Sequence, residues 1–237
     1  MLDALDDIPL GLRPEDYDTW YAMPGTIHWE DAPSKTVTLN ALSACCPSQG
    51  PLRLLDIACG TGKFLKKIRQ TVSDVWHLYG VDFSSVAIDM AKELDEQANL
   101  QLNLFCEDAT QMHFDSGFFD VITCCGSWEH FENPQLALEE HARVLKVGGW
   151  FFGMIPVLGV DRTDRDDEGW YEEKPIPGHT LRQMQWNLKQ ETWETLFARA
   201  GLQTFDDSFA KGCGAIKPKV FFFGVRLNRP VWQDKRE

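Results

Sequence analysis

Two glycines set two residues apart behind a carboxylate are the first feature that could do chemistry: Asp56-Ile57-Ala58-Cys59-Gly60-Thr61-Gly62. Glycine has no Cβ and tolerates positive φ, so such a turn lets backbone lie close against a ligand. More carboxylates recur at the ends of short apolar runs. Asp82 closes Leu78-Tyr79-Gly80-Val81-Asp82 and is followed by Phe83. Glu107 and Asp108 follow another run, with Ala109 next. A histidine beside a carboxylate, Glu129-His130, follows a fourth. Imidazole is the side chain suited to move a proton near neutral pH.

These groups need elements to position them. Short apolar runs at 52–58, 76–81, 102–106, 119–125 and 150–155 read as strands. Helix-like segments at 63–71, 84–94 and 133–145 alternate with them, and Ser84 or Ser85 is placed to cap the second. That alternation predicts a parallel sheet covered on both faces, with ligands at the carboxyl ends of its strands. After a helix over 188–200, two consecutive strand-like runs, 202–210 and 219–227, predict an antiparallel hairpin at the sheet edge. The expected fold is therefore α/β, a Rossmann-like seven-stranded mixed sheet flanked by helices. Residues 1–50, with helices near 14–21 and 34–43, read as a helical cap. Residues 157–186 read as a lid insertion, because structureless stretches of that length are uncommon in compact domains. The whole of 1–237 is expected to form one domain: cap 1–50, core 51–156, lid 157–186, and C-terminal helix and hairpin 187–237.

The glycine turn alone leaves a dinucleotide open. That fingerprint wants a third small residue, and here the register runs Gly60, Gly62, Leu65. Asp56 would also face the pyrophosphate, and unit charges about 4 Å apart at an effective dielectric of about 20 repel by about 4 kcal/mol. A row of carboxylates suits instead a ligand with cationic and hydroxyl groups, since ionised carboxylates only accept.

Together, L-L-D-I-A-C-G-T-G-K-F-L, L-Y-G-V-D-F-S, C-E-D-A-T and F-D-V-I-T-C-C-G-S-W-E-H-F resemble the class I S-adenosylmethionine (SAM)-dependent methyltransferases. The resemblance is to the small-molecule, type 11 branch, and is strong over about residues 50–156. It implies SAM as cofactor and transfer of a methyl group to an oxygen or nitrogen of a small molecule. It places Asp56 near the methionine end, with Ala58, Gly60 and Gly62 beneath. Asp82 would hold the ribose, Asp108 and Ala109 would meet the adenine, and Phe83 would form an adenine wall. Cys124, Cys125 and Gly126 would supply backbone near the methionine moiety. Tyr17, Trp20 and Tyr21 lie in a segment resembling the N-terminal cap of such enzymes, where an aromatic touches the SAM carboxylate end. Glu129-His130 resembles the pair in ubiquinone-biosynthesis O-methyltransferases, and His130 is the candidate base. Gly126 stands where a further acidic residue would be expected in a metal cluster, so no metal is assigned. Cys125-Gly126-Ser127-Trp128 stands where N-P-P-Y would mark a nucleic-acid base or amide methyltransferase. The alternative is a SAM or nucleoside binder that transfers no methyl group, as a regulatory module or a carrier of another SAM group.

The bulk numbers bound the partners. A net charge of −13 repels phosphate backbones and anionic membranes, so neither is expected. Seven cysteines without a C-x-x-C pair, and an acidic start rather than a leader, point to free thiols in the cytoplasm. Trp170, Tyr171, His179, Met184 and Trp186 in the lid are candidates to enclose an apolar or aromatic acceptor. The acidic run Asp161, Asp164, Asp166, Asp167 and Glu168 reads either as a solvated loop or as a lure for a cationic one.

Overall fold

The structure, a computed structural model, describes residues 11–23, 34–46, 50–158, 165–173, 183–204 and 220–227. The candidates His179, Asp161 and Asp164 lie outside the described residues, as do most of the 202–210 run and its link to the next strand.

The elements run α1 (Pro14–Ala22), α2 (Ser34–Cys45), β1 (Arg53–Ile57), α3 (Lys63–Thr71), β2 (His77–Asp82), α4 (Ser85–Ala98), β3 (Leu102–Cys106) and β4 (Phe119–Cys125). A single 3-10 turn, Trp128–His130, leads to α5 (Pro134–Val144). Then come β5 (Leu145–Pro156), β6 (Gly169–Glu172), β7 (Met184–Asn187), α6 (Gln190–Arg199), β8 (Leu202–Thr204) and β9 (Val220–Leu227). No helix among the described residues is long and apolar enough to cross a membrane.

Seven strands form one sheet in the order β3-β2-β1-β4-β5-β9-β8. The first five pair in parallel, while β9 runs antiparallel to both β5 and β8. This is the expected mixed sheet with an antiparallel edge. The near-continuously apolar β9 takes the inner place, and three-residue β8 becomes the edge, where a short strand is the safer choice. Because β1 has β2 on one side and β4 on the other, the chain reverses direction across the sheet there. The crevice that results opens at the carboxyl ends of β1 and β4.

Leu54, Leu55 and Ile57 of β1 are fully buried, as befits a strand covered on both faces. The turn after β1 folds back over β2 at Gly80. A Cβ on Gly80 would fall 2.8 Å from Cys59 Sγ and 2.9 Å from Leu65 Cδ1, so any larger residue would have to displace these side chains. Ser84 Oγ caps α4 by accepting from Ala87 N–H at 3.1 Å, and Asn133 does the same for α5.

Two local expectations are corrected. β5 starts at Leu145 rather than near 150, because α5 hands over to it without a loop. The insertion also has structure of its own. β6 and β7 pair as a separate antiparallel ribbon with Trp170 opposite Trp186, ring centroids 5.3 Å apart. Four-residue strands are too short to show a readable alternation.

Candidate functional site

The glycine turn is tied to the end of β2 by one carboxylate. Asp82 Oδ2 accepts from Gly60 N–H at 2.9 Å, and Oδ1 accepts from Ser84 N–H at 3.0 Å. Ala58, Gly60 and Gly62 all have positive φ, at 51, 55 and 76°. Gly60 and Gly62 take it at no steric cost, whereas Ala58 holds it as a non-glycine residue, a conformation concentrated at functional turns.

Asp56 lies one residue before the end of β1 and is 3% exposed. Thr123 Oγ1 donates to its Oδ1 at 2.7 Å. Burial raises its pKa from 3.8 to about 6, against the pull of Lys35 and Thr123, with Asp82 adding a further push upward. Lys35, near the start of α2, is the cation that faces this carboxylate, its Nζ 5.6 Å from the Phe64 ring centroid. Sequence reading missed Lys35, since nothing in its spacing from Asp56 betrays the approach of α2 to the sheet.

The end of β3 meets the end of β2 through Glu107 N–H, which donates to the Asp82 carbonyl at 3.0 Å. Asp108 Oδ1 accepts from both the N–H and the hydroxyl of Thr110, each at 2.8 Å, closing a tight turn. Among the described residues no hydrogen bond engages Oδ2, an acceptor at an exposed position. Ala109 turns its methyl into the core, and its carbonyl accepts from His141 at 2.9 Å.

Helix α1 crosses this region. Its Asp18 grips the start of α4, accepting from Ser84 Oγ (2.6 Å), Ser85 Oγ (3.0 Å) and Val86 N–H (3.1 Å). Burial works against its charge, but these donors hold the carboxyl below the usual range. The neighbouring Tyr17 places its ring 4.8 Å from that of Phe83. Its hydroxyl accepts from Gln183 Nε2 at 2.8 Å, just ahead of β7. Burial raises the Tyr17 pKa, and Asp82, Glu173 and Glu129 raise it further, so all three carboxylates lie near one phenol that stays protonated. Tyr21, one turn along, is buried. Asp18 and Gln183 were not foreseen, because neither belongs to a motif.

At the end of β4, the Cys125 thiol points to Thr38 Oγ1 at 3.5 Å, and burial pushes its pKa up to about 12. It is therefore a neutral thiol and no nucleophile. Glu129 and His130 occupy the 3-10 turn rather than the start of a helix. Glu129 is 1% exposed, and its Oε1 lies 3.8 Å from His130 Nε2. His130 Nδ1 is 2.8 Å from the Met184 carbonyl. A carbonyl can only accept, so Nδ1 carries the proton and Nε2 is left as the basic nitrogen.

On the side of the β6–β7 ribbon, Trp186 donates its indole N–H to the carbonyls of Phe131 (2.9 Å) and Glu132 (3.2 Å), pinning the ribbon beside the His130 turn. The described part of the acidic run is partly structural. Asp167 pairs with Arg165 at 3.1 Å, and Glu168 accepts from Lys189 N–H and Thr192 at the start of α6. No three His, Cys, Asp or Glu among the described residues stand close enough together to hold a metal ion.

Residues 55–153 match the family described as a methyltransferase domain. A ubiquinone biosynthesis O-methyltransferase from Coxiella burnetii is 35% identical over 99 residues, 42% of this chain and 41% of that protein. The chain thus matches about two-fifths of the length of that curated relative. A solved SAM-dependent methyltransferase from Clostridium acetobutylicum superposes with a TM-score of 0.67 at 17% identity, over 90% of this chain and 99% of the other. The 1,6-didemethyltoxoflavin-N1-methyltransferase of Burkholderia thailandensis, solved with its substrate and S-adenosylhomocysteine, gives a TM-score of 0.69 at 14% identity, over 94% and 93%. At these identities the structural matches speak for the fold.

Proposed function

We propose that the chain is a class I SAM-dependent methyltransferase that transfers a methyl group from SAM to an oxygen or nitrogen of a small-molecule acceptor, a reading supported by the methyltransferase-domain match over residues 55–153. The observation that carries this reading is the pair of carboxylates, Asp56 and Asp82, set around the Gly60–Gly62 turn at the switch point of the sheet. SAM, when bound, supplies a methyl carbon already activated by a sulfonium.

The residues fit such a ligand. Asp82 accepts the ribose hydroxyls, and Asp108 Oδ2 accepts from the adenine amine. Phe83 and Tyr17 wall the adenosine. Asp56 supplies negative charge near the methionine end, with Ala58, Gly60, Gly62 and the backbone at Cys125 against it. Ala109 borders the adenine, and Tyr21 closes the cap. His130 Nε2 takes the proton that the acceptor loses on attack, and Glu129 stabilises the imidazolium that results. The remaining work is alignment, for which orientation can supply about 7–11 kcal/mol.

The test is calorimetric titration with SAM and with NAD, followed by incubation with methyl-labelled SAM and a panel of phenols, carboxylates and amines. SAM is expected to bind, NAD not to, and label to move to at least one acceptor class. NAD binding without SAM binding would overturn the cofactor. SAM binding without transfer to any panel member would favour a nonmethylating role.

A further inference from the structure

Helix α5 carries a histidine for which methyl transfer has no direct use. His141 is the only fully buried histidine among the described residues. Aromatic rings stand edge-on around it: Trp128 at 4.9 Å, Phe131 at 5.8 Å and Phe151 at 5.9 Å between centroids. Its Nε2 lies 2.9 Å from the Ala109 carbonyl. That oxygen only accepts, so Nε2 holds the ring proton and Nδ1 is an acceptor. Among the described residues Nδ1 has no hydrogen-bond partner. Burial lowers the imidazole pKa to about 3, with the Ala109 bond opposing, so the ring is neutral at any working pH.

An imidazole is an odd choice here. Its helix neighbours that face the core, Ala137, Leu138, Ala142 and Val144, are apolar. Leucine or phenylalanine would fill the space without leaving a buried acceptor unpaired, which is destabilising. Places where a sequence breaks such a local rule concentrate at functional sites. What the imidazole adds is one bond, to a peptide 32 residues away in sequence.

That peptide follows Asp108. The same helix grips the rest of the loop with charged side chains. Glu140 Oε1 accepts from Met112 N–H at 2.7 Å, and Arg143 donates to the carbonyls of Phe114 (2.7 Å) and Met112 (3.1 Å). Those bonds hold the far end of the loop. The near end, beside Asp108, is held to α5 by His141. The same ring packs edge-on against Trp128, the first residue of the turn that carries Glu129 and His130.

We infer that His141 is a positioning residue for the adenine end of the cofactor site, its Nε2–H bond to the Ala109 carbonyl fixing the Asp108–Ala109 strand end in the orientation that meets the adenine. The inference rests on the SAM reading above. Without the bond the Ala109 carbonyl is a buried acceptor with no donor, and the peptide must turn to find one. Asp108 then shifts with it.

The test compares His141→Phe and His141→Gln with the native chain, using SAM and adenosine as ligands in calorimetry. Phenylalanine keeps the ring and removes the donor. Glutamine can return an amide N–H near the position of Nε2. The expected result is that the Phe variant melts within a few degrees of native, yet binds both SAM and adenosine about tenfold more weakly. The Gln variant should recover most of that loss. Native affinity in the Phe variant would overturn the assignment. So would a Gln variant no better than Phe, since the loss would then come from packing. Should the Phe variant fail to fold, 15N spectra of the native chain decide. An Nε2–H tautomer whose proton exchanges more slowly once SAM is added supports the role. An Nδ1–H tautomer, or exchange indifferent to SAM, overturns it. A native chain that binds neither ligand would instead overturn the cofactor reading, a result visibly different from native binding retained by the Phe variant.

Discussion

Asp56 is a carboxylate held where water does not reach, with a folded pKa of about 6 against an ordinary 3.8. Between those two pH values the unfolded chain has released the proton that the folded chain still keeps. The residue therefore detracts from stability as pH rises through that window, and by about 3 kcal/mol at most above pH 6. Asp56→Asn keeps an oxygen for Thr123 and removes the charge. It should raise the melting temperature above pH 6 and leave it unchanged below about 3.8, while SAM affinity falls at least tenfold. A melting curve with no gain at pH 8 would contradict the burial argument. The native chain should also lose SAM affinity by about tenfold per pH unit below 6, because the cation needs the ionised form. A second residue-scale expectation concerns His130. His130→Asn retains a donor for the Met184 carbonyl but has no basic nitrogen in place of Nε2. Steady-state rates should drop about 10²-fold or more with SAM affinity unchanged, and a native rate would remove His130 from the chemistry. At this scale the sequence disclosed positions rather than roles. Asp56, Asp82 and Asp108 stand at or near the strand ends where their flanking apolar runs put them. Lys35 and His141 reach the site across the packing of α2 and α5, and no local pattern records such an approach.

Asp18 is one of the side chains that seat helix α1 on the core. The three donors to Asp18 come from consecutive residues at the start of α4, which also sits directly after Asp82 and Phe83. Tyr17 on the same helix accepts from Gln183, so α1 spans from the start of α4 to the residue just ahead of β7. The carboxyl of Asp18 has a lowered pKa, so its contribution is present at neutral pH and is lost as acidification carries pH down through that value. Asp18→Ala removes bonding of the helix-cap kind, worth about 1–2 kcal/mol, which makes release of α1 about 5–30 times more frequent. Limited proteolysis within residues 11–23 should speed up accordingly at pH 7, with the sheet intact by circular dichroism. An unchanged cleavage rate would mean that α1 is seated by its buried aromatics alone. The parallel core was legible because its strands are apolar, bounded by turns and separated by amphipathic helices. The ribbon was not, since each of its strands is four residues long and its order comes from tryptophans docking on the 3-10 turn.

For the whole molecule, the architecture follows from the alternation of strands and helices, and the place of the crevice from the reversal of strand order between β1 and β4. What the sequence could not show is the insertion of β9 between β5 and β8, because a hairpin's pairing does not say which of its strands joins the sheet. The net charge of −13 acts at the same scale. It leaves a long-range field that draws in cations and repels polyanions, and that field is screened over about 10 Å at 0.1 M salt. SAM carries one more positive charge than S-adenosylhomocysteine, with nearly the same shape. Raising ionic strength should therefore slow association of SAM by a few-fold while leaving the neutral homologue almost unaffected. Asp56 and Asp82 are buried and are screened much less, so a preference for SAM from short-range attraction should survive at high salt. Stopped-flow tryptophan fluorescence with both ligands across a salt series measures the two contributions separately. Equal salt slopes for the two ligands would show that the field of the whole chain does not reach the crevice. Loss of all discrimination at high salt would instead remove Asp56 and Asp82 as the groups that recognise the cation.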